Sequence, residues 1–313
     1  MKRTLAGLVC TCVVLAGAAL AQQGLEDVQI RAEKIRGNVY ALISDRAGNI
    51  GASVGEDGIL IIDDKFAPLA DKIRAALAGI GQGPLKFVLN THWHGDHTGG
   101  NVVFGKQAPI IAHTNVRKRL AEGSAARNVR PAPKEALPVI TFDESLSVHF
   151  NGEEIKAFHI PHGHTDGDIV LLFTKSNVAH LGDDFFAGRF PFVDIDSGGS
   201  VRGLIRGIAH LLEQLPDDVA IIPGHGPVST KENLREYYTM LVETTEHVRK
   251  QMEEGKSLDA ILQAGVPERW KSWAWNFINE ERWIRIIHRS LTGQRLDFPV
   301  PRGRDGHGHP HPH

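Results

Sequence analysis

The sequence predicts an α/β layered fold, and three observations point there. Residues 50–90 read as two strands, a helix and a third strand, an order that needs a crossover connection. Asn151-Gly152 and Lys175-Ser176-Asn177 each separate two apolar or alternating runs, as hairpin turns do. Four short apolar runs end in Gly-containing turns that carry His or Asp, the pattern of strand ends converging on one crevice.

Length and composition fit one large domain or two small ones: 313 residues, 42% hydrophobic and 23% charged. The net charge of −2 offers no footprint for nucleic acid or an anionic membrane. Residues 1–21 are expected to be a secretory signal. Lys2 and Arg3 form a basic start, residues 5–20 are apolar and small, and Ala19-Leu20-Ala21 suits cleavage after Ala21. The apolar run is short for a span of ~20 residues, so no stable membrane anchor is expected. Export implies a periplasmic or secreted protein. Cys10 and Cys12 both fall in this leader, which leaves the mature chain without a thiol ligand or a disulfide. Loss of Lys2 and Arg3 moves the net charge from −2 to −4.

Taken in order, residues 28–44 alternate around Gly37-Asn38 and give two strands. Residues 50–63 give two more around Glu56-Asp57-Gly58. Residues 68–80 form a helix with Ile73, Ala76, Leu77 and Ile80 on one face. Residues 85–90 and 109–112 are strands, and Thr114 caps a helix that runs to Glu122. Residues 124–138 read as a Pro-rich surface loop or lid. Residues 146–150 with 154–160, and 168–174 with 178–181, make the two hairpins. Residues 201–215 form an amphipathic helix, and 219–222 a last buried strand. Ser229 and Glu232 make a capping box for a helix ended by Gly255. Residues 257–264 and 279–291 are further helices. The expected division is a leader (1–21), a catalytic domain (22–228), a helical extension (229–300) and a disordered His-rich tail (301–313).

His92, His94, Asp96 and His97 fall within six residues, directly after a strand. On an extended backbone His92 and His94 leave the same side, and Asp96 and His97 then turn toward a neighbouring point. Imidazole and carboxylate groups suit zinc and similar cations. His164, Asp183 and His225 follow three later strands in the same way. Core packing does not explain four strand ends armed with such groups.

Thr91-His92-x-His94-x-Asp96-His97, followed by His164, Asp183 and His225, resembles the metallo-β-lactamase superfamily over roughly residues 37–228. The resemblance implies an αββα sandwich of two mixed β-sheets flanked by helices, here with a C-terminal helical extension. It implies two zinc ions per chain. His92, His94 and His164 would hold the first, Asp96, His97 and His225 the second, and Asp183 would bridge them. A metal-bridging hydroxide would attack a carbonyl carbon, with Asp96 orienting it and relaying its proton. Thr165 and Asp168 could orient imidazoles, although ordinary turn bonding is the simpler reading.

Superfamily membership does not name the substrate, which could be a β-lactam, lactone, ester or thioester. Secreted lactamases of one subclass carry Cys where Asp183 stands, with Lys three residues on. Here that residue is Phe186, and lactone-cleaving relatives place Tyr there. Gly182-Asp183-x-x-Phe186 is similar to glyoxalase-type thioesterases, whose glutathione-binding residues find no match here. Phe185, Phe186, Phe190 and Phe192 crowd this segment, with Arg189 as the cation placed to meet an anionic substrate. Trp270, Trp273, Trp275, Phe277 and Trp283 are expected to pack the C-terminal helices, or else to line an interface or substrate wall. His162 is read as structural or as a proton donor. His113, His149, His159, His180, His210, His247 and His288 stand alone and are read as non-ligands. The expected function is an exported hydrolase of a small-molecule substrate. The alternatives are a periplasmic zinc carrier using His307, His309, His311 and His313, or a phosphodiesterase-type enzyme.

Overall fold

A computed structural model describes residues 25–125 and 129–293. The expected leader and the His-rich tail lie outside the described residues. Two mixed sheets stack face to face with helices on both outer sides, as the αββα expectation requires.

The first sheet runs in sequence order: β1 (Arg31–Arg36), β2 (Val39–Ile43), β3 (Ile50–Gly55), β4 (Gly58–Ile62), β5 (Leu85–Asn90), β6 (Ile110–His113) and β7 (Ile140–Phe142). β1 to β4 form an antiparallel meander, and β4 to β7 pair parallel. The β4–β5 crossover is α1 (Ala70–Ala78), entered through a 3-10 turn at Ala67–Leu69 that holds Pro68. A proline suits that first turn, where its missing N–H costs nothing. After β5 come two single-turn helices, α2 (Gly95–Thr98) and α3 (Asn101–Phe104), and after β6 comes α4 (Thr114–Glu122).

The second sheet holds β8 (Ser145–Phe150), β9 (Glu153–Ile160), β10 (Asp168–Phe173), β11 (Val178–His180), β12 (Ala220–Ile222) and β13 (Ser229–Thr230), in the order β13-β12-β11-β10-β9-β8. Its one parallel pair, β11 with β12, is joined by α5 (Val201–Gln214). Asn151 (φ 53°) and Gly152 (φ 73°) are both left-handed, as a two-residue hairpin turn between β8 and β9 demands. The chain then runs through α6 (Lys231–Glu253), α7 (Leu258–Ala264) and α8 (Glu280–Gly293).

Alternation along single strands builds the layers. On β4, Leu60 and Ile62 join the core between the sheets, whereas Ile59 and Ile61 pack outward onto Leu69, Ile73 and Leu77 of the first helical layer. A strand buried on both faces reads as a continuous apolar run, which is what residues 59–62 are. The far face of the second sheet shares one core with α5, α6, α7 and α8, including Leu204, Ile208, Tyr237, Met240, Trp283 and Ile287.

Four local expectations shift. His113, not Thr114, caps α4, because its Nδ1 accepts the Asn115 N–H at 3.1 Å. The capping box of α6 is Thr230 with Asn233, one residue beyond Ser229 and Glu232. Ser229 is instead committed to the β13 ladder with Ile221. β7 adds a strand that the sequence does not announce, because three residues are too few to show a period. The 124–138 stretch contains a 3-10 turn at Lys134–Ala136 and is tied back to α4 by Ala132 N–H donating to the Leu120 carbonyl at 2.8 Å.

Candidate metal centre

Four strand ends deliver seven side chains to one crevice. His92 and His94 sit in the turn after β5, and Asp96 and His97 lie in α2, which opens at Gly95. His164 follows β9, Asp183 lies in a 3-10 turn at Gly182–Asp184 after β11, and His225 follows β12. Their ligand-type atoms form two groups, each with all atoms within 4.8 Å of one another: His92, His94, His164 and Asp183, and then Asp96, His97 and His225.

Asp183 faces both groups with different oxygens. Its Oδ2 lies 3.7 Å from His92 Nε2 and 3.5 Å from His164 Nε2. Its Oδ1 lies 3.1 Å from His97 Nε2 and 3.4 Å from His225 Nε2. Asp96 Oδ2 is 3.3 Å from His225 Nε2 and 3.6 Å from His97 Nε2. His94 turns Nδ1 inward, 2.9 Å from His164 Nε2.

These residues fit divalent cations. His92 Nε2, His97 Nε2 and Asp183 Oδ1 are buried and have no hydrogen-bond partner. Such orphaned atoms are costly unless a cation meets them. The outward nitrogen of four rings is held in place. His92 Nδ1 donates to Thr91 Oγ1 (3.0 Å), His94 Nε2 to Asp194 Oδ2 (2.8 Å), His97 Nδ1 to Asp63 Oδ2 (2.7 Å) and His164 Nδ1 to the Phe192 carbonyl (2.6 Å). Such bonds fix the tautomer and leave the inward nitrogen with a lone pair. Asp63 serves both groups, since it also accepts from Thr91 N (2.7 Å) and Thr91 Oγ1 (2.7 Å).

Two glycines make room for this packing. A Cβ on Gly48 would lie 2.0 Å from His97 Cε1, and one on Gly224 would lie 2.1 Å from Asp183 Oδ1. The charge pattern suits a cation site. Burial holds His92 well below the usual imidazole range and His164 down at about 4. Burial alone would raise Asp183, but the imidazoles of His225, His97 and His92 hold it well below the usual carboxylate range. Against its own burial, His225 is pulled up to about 9 by the carboxylates of Asp183 and Asp96.

Sequence reasoning misses Asp63 and Asp194. Asp63 was legible, because it directly follows β4, the strand next to β5, on the same edge. Nothing local marks Asp194. Thr165 and Asp168 close a turn on one another, Thr165 N–H donating to Asp168 Oδ2 at 2.7 Å, which is the simpler of the two readings. His162 Nδ1 pairs with the Gly198 carbonyl at 2.8 Å, and His113 stacks on His159 at 3.9 Å.

The aromatic segment divides in two. Phe185 and Phe190 are buried core, Phe190 stacking on Trp283 at 5.9 Å. Phe186 stacks on His225 at 5.1 Å, and Phe192 lies 5.9 Å from His94. Trp275 stands 6.4 Å from His225 and 5.5 Å from Phe277. Trp270, Trp273 and Trp283 pack the helices as expected, whereas Trp275 and Phe277 form a wall beside the centre.

A family model described as the metallo-β-lactamase superfamily matches residues 47–225, more than half of the chain. Over 171 residues the chain is 33% identical to a hydroxyacylglutathione hydrolase of a Polaromonas species, covering 54% of this chain. The chain spans 58% of that relative's length. It is also 31% identical over 152 residues to a hydroxyacylglutathione hydrolase of Haemophilus influenzae, covering 47% of this chain and 71% of the relative. Among solved structures, a metallo-β-lactamase from Pontibacter korlensis superposes with a TM-score of 0.58 at 18% identity, over 68% of this chain and 99% of that one. That likeness is one of fold.

Proposed function

We propose that this chain, which belongs to the metallo-β-lactamase superfamily and is a metal-dependent hydrolase, carries two zinc ions and opens a thioester or a related carbonyl bond. The supporting observation is the division of Asp183, one oxygen toward each ligand group. His92, His94 and His164 would hold one ion, Asp96, His97 and His225 the other, with Asp183 between them. The relatives named for hydroxyacylglutathione, a thioester, favour thioesters over the lactam, lactone and ester alternatives. The leader-like residues 1–21 support an exported enzyme.

When bound, such ions act as Lewis acids and make hydroxide available near pH ~7. The chain's own residues supply the rest. Asp63, Thr91, Asp194 and the Phe192 carbonyl hold four rings in the orientation that directs a lone pair inward. Asp96 is 28% exposed against 5% for Asp183. Asp96 is therefore the carboxylate able to exchange a proton with water or with a leaving group, through its Oδ atoms. Phe186, Phe192 and Trp275 place apolar rings against His225 and His94, where they would limit water around a bound substrate.

The test is turnover of thioester, lactone, ester and lactam substrates by zinc-loaded protein, with and without a chelator. Asp96→Asn should keep the fold, by circular dichroism, and lose roughly 10²- to 10⁴-fold in kcat. Chelator-resistant turnover, or full activity of Asp96→Asn, would remove the reading.

A further inference from the structure

A cavity of about 320 Å³ opens beside His225. Its polar lining includes Arg31, Glu33, Asp45, Asn49 and Arg189. Arg31 pairs with Glu33 at 4.0 Å, and Asp45 is exposed to water. Asn49 is occupied, its Nδ2 donating to the Pro223 and Gly226 carbonyls at 3.0 and 2.8 Å. Arg189 differs. It is half-buried, its guanidinium stacks on Trp275 at 5.0 Å, and among the described residues no carboxylate lies within ion-pair distance of it. Burial lowers its affinity for the proton.

Trp275 is itself fixed, because its Nε1 donates to the Phe190 carbonyl at 2.9 Å. The guanidinium is thus held on a rigid ring, one aromatic residue away from His225. A partly desolvated guanidinium without an anion is an unfavourable arrangement that a bidentate carboxylate would relieve. Across the crevice, Phe192 and Phe277 lie 5.7 Å apart, and Phe277 is 45% exposed although apolar. That wall lies toward His94, and the Arg282 guanidinium stacks on its Phe277 ring at 4.9 Å.

We propose that Arg189 on Trp275 is an anion-binding subsite of the centre, and that the substrate carries a carboxylate on its His225 side and an apolar acyl group against Phe192 and Phe277. This rests on the hydrolase reading for its reaction but not for its binding. Arg189 is a specificity residue here, because it meets the leaving portion and not the carbonyl.

The experiment compares 3-(benzoylthio)propanoate with its carboxamide, using wild-type, Arg189→Gln and Arg189→Lys protein loaded with zinc. Arg189→Gln should raise KM for the acid roughly 10- to 100-fold, the loss expected for one charge-assisted pair. It should leave kcat and the carboxamide KM unchanged, and Arg189→Lys should recover part of the loss. Calorimetry with N-benzoyl-β-alanine, which has an amide in place of the thioester, gives a second readout without turnover. Arg189-dependent binding without any turnover would sustain the subsite and sink the hydrolase reading. Normal turnover with acid and carboxamide affected alike, or neither affected, would overturn the subsite and spare the hydrolase. Binding of the acid that ignores Arg189, or no binding at all, also overturns it.

Discussion

At the scale of single residues, Asp183 and Asp63 divide the labour. Asp183 faces both ligand groups directly, and Asp63 fixes two rings from behind. Asp183→Ala should therefore leave the second ion most weakly held, whereas Asp63→Ala should weaken both by roughly 10- to 100-fold through misoriented imidazoles. Metal titration of the two variants checks this, and equal behaviour of the pair would contradict it. The seven inward residues were legible because each stands close to a Gly at a strand end. Asp194 was not, since it lies 100 residues from the histidine it orients and only the folded chain joins them.

Lys65 gives a pH-dependent prediction at the same scale. It is fully buried, donates from Nζ to the Gly48 carbonyl, and is pushed by burial from 10.5 down to about 8. A lysine lowered in the folded state binds fewer protons there than in the unfolded chain, so its penalty is full below pH 8 and disappears as pH rises toward 10.5. In metal-free protein, the stability of wild type relative to Lys65→Met should rise by about 3 kcal/mol between pH 7.5 and 10.5. Urea denaturation at the two pH values measures it, and a flat or falling difference would contradict it.

At the scale of elements, periodicity served long segments and failed short ones. The stripe Leu204, Ile208 and Leu211 of α5 was readable at helical spacing and is wholly buried. Ile208→Ala should therefore cost about 2–5 kcal/mol by cavity formation, read from denaturant unfolding. The ends of α4 and α6 moved by one residue because cap choice depends on tertiary commitments, here the stacking of His113 and the β13 pairing of Ser229. Thr230→Ala should cost about 1 kcal/mol, while Ser229→Ala should cost less at that helix end. Thermal melts of the two variants decide between the two caps.

At the scale of the whole molecule, the sandwich was legible because its strands announce their burial, β4 on both faces and β8 with β9 through Asn151-Gly152. The division of the C-terminal aromatics was not legible. Spacing alone does not tell a ring that fills the core, such as Trp283, from one that walls the crevice, such as Trp275. Chelation should lower the melting temperature of the whole chain, because the centre ties β5, β9, β11 and β12 together.

The most direct measurement is metal content per folded chain, by mass spectrometry after exhaustive dialysis of zinc-loaded protein that ends before residue 301. Two zinc ions per chain, falling toward one in Asp183→Ala, is the predicted result. One ion per wild-type chain, or two that survive in Asp183→Ala, would contradict a carboxylate shared between two ligand groups.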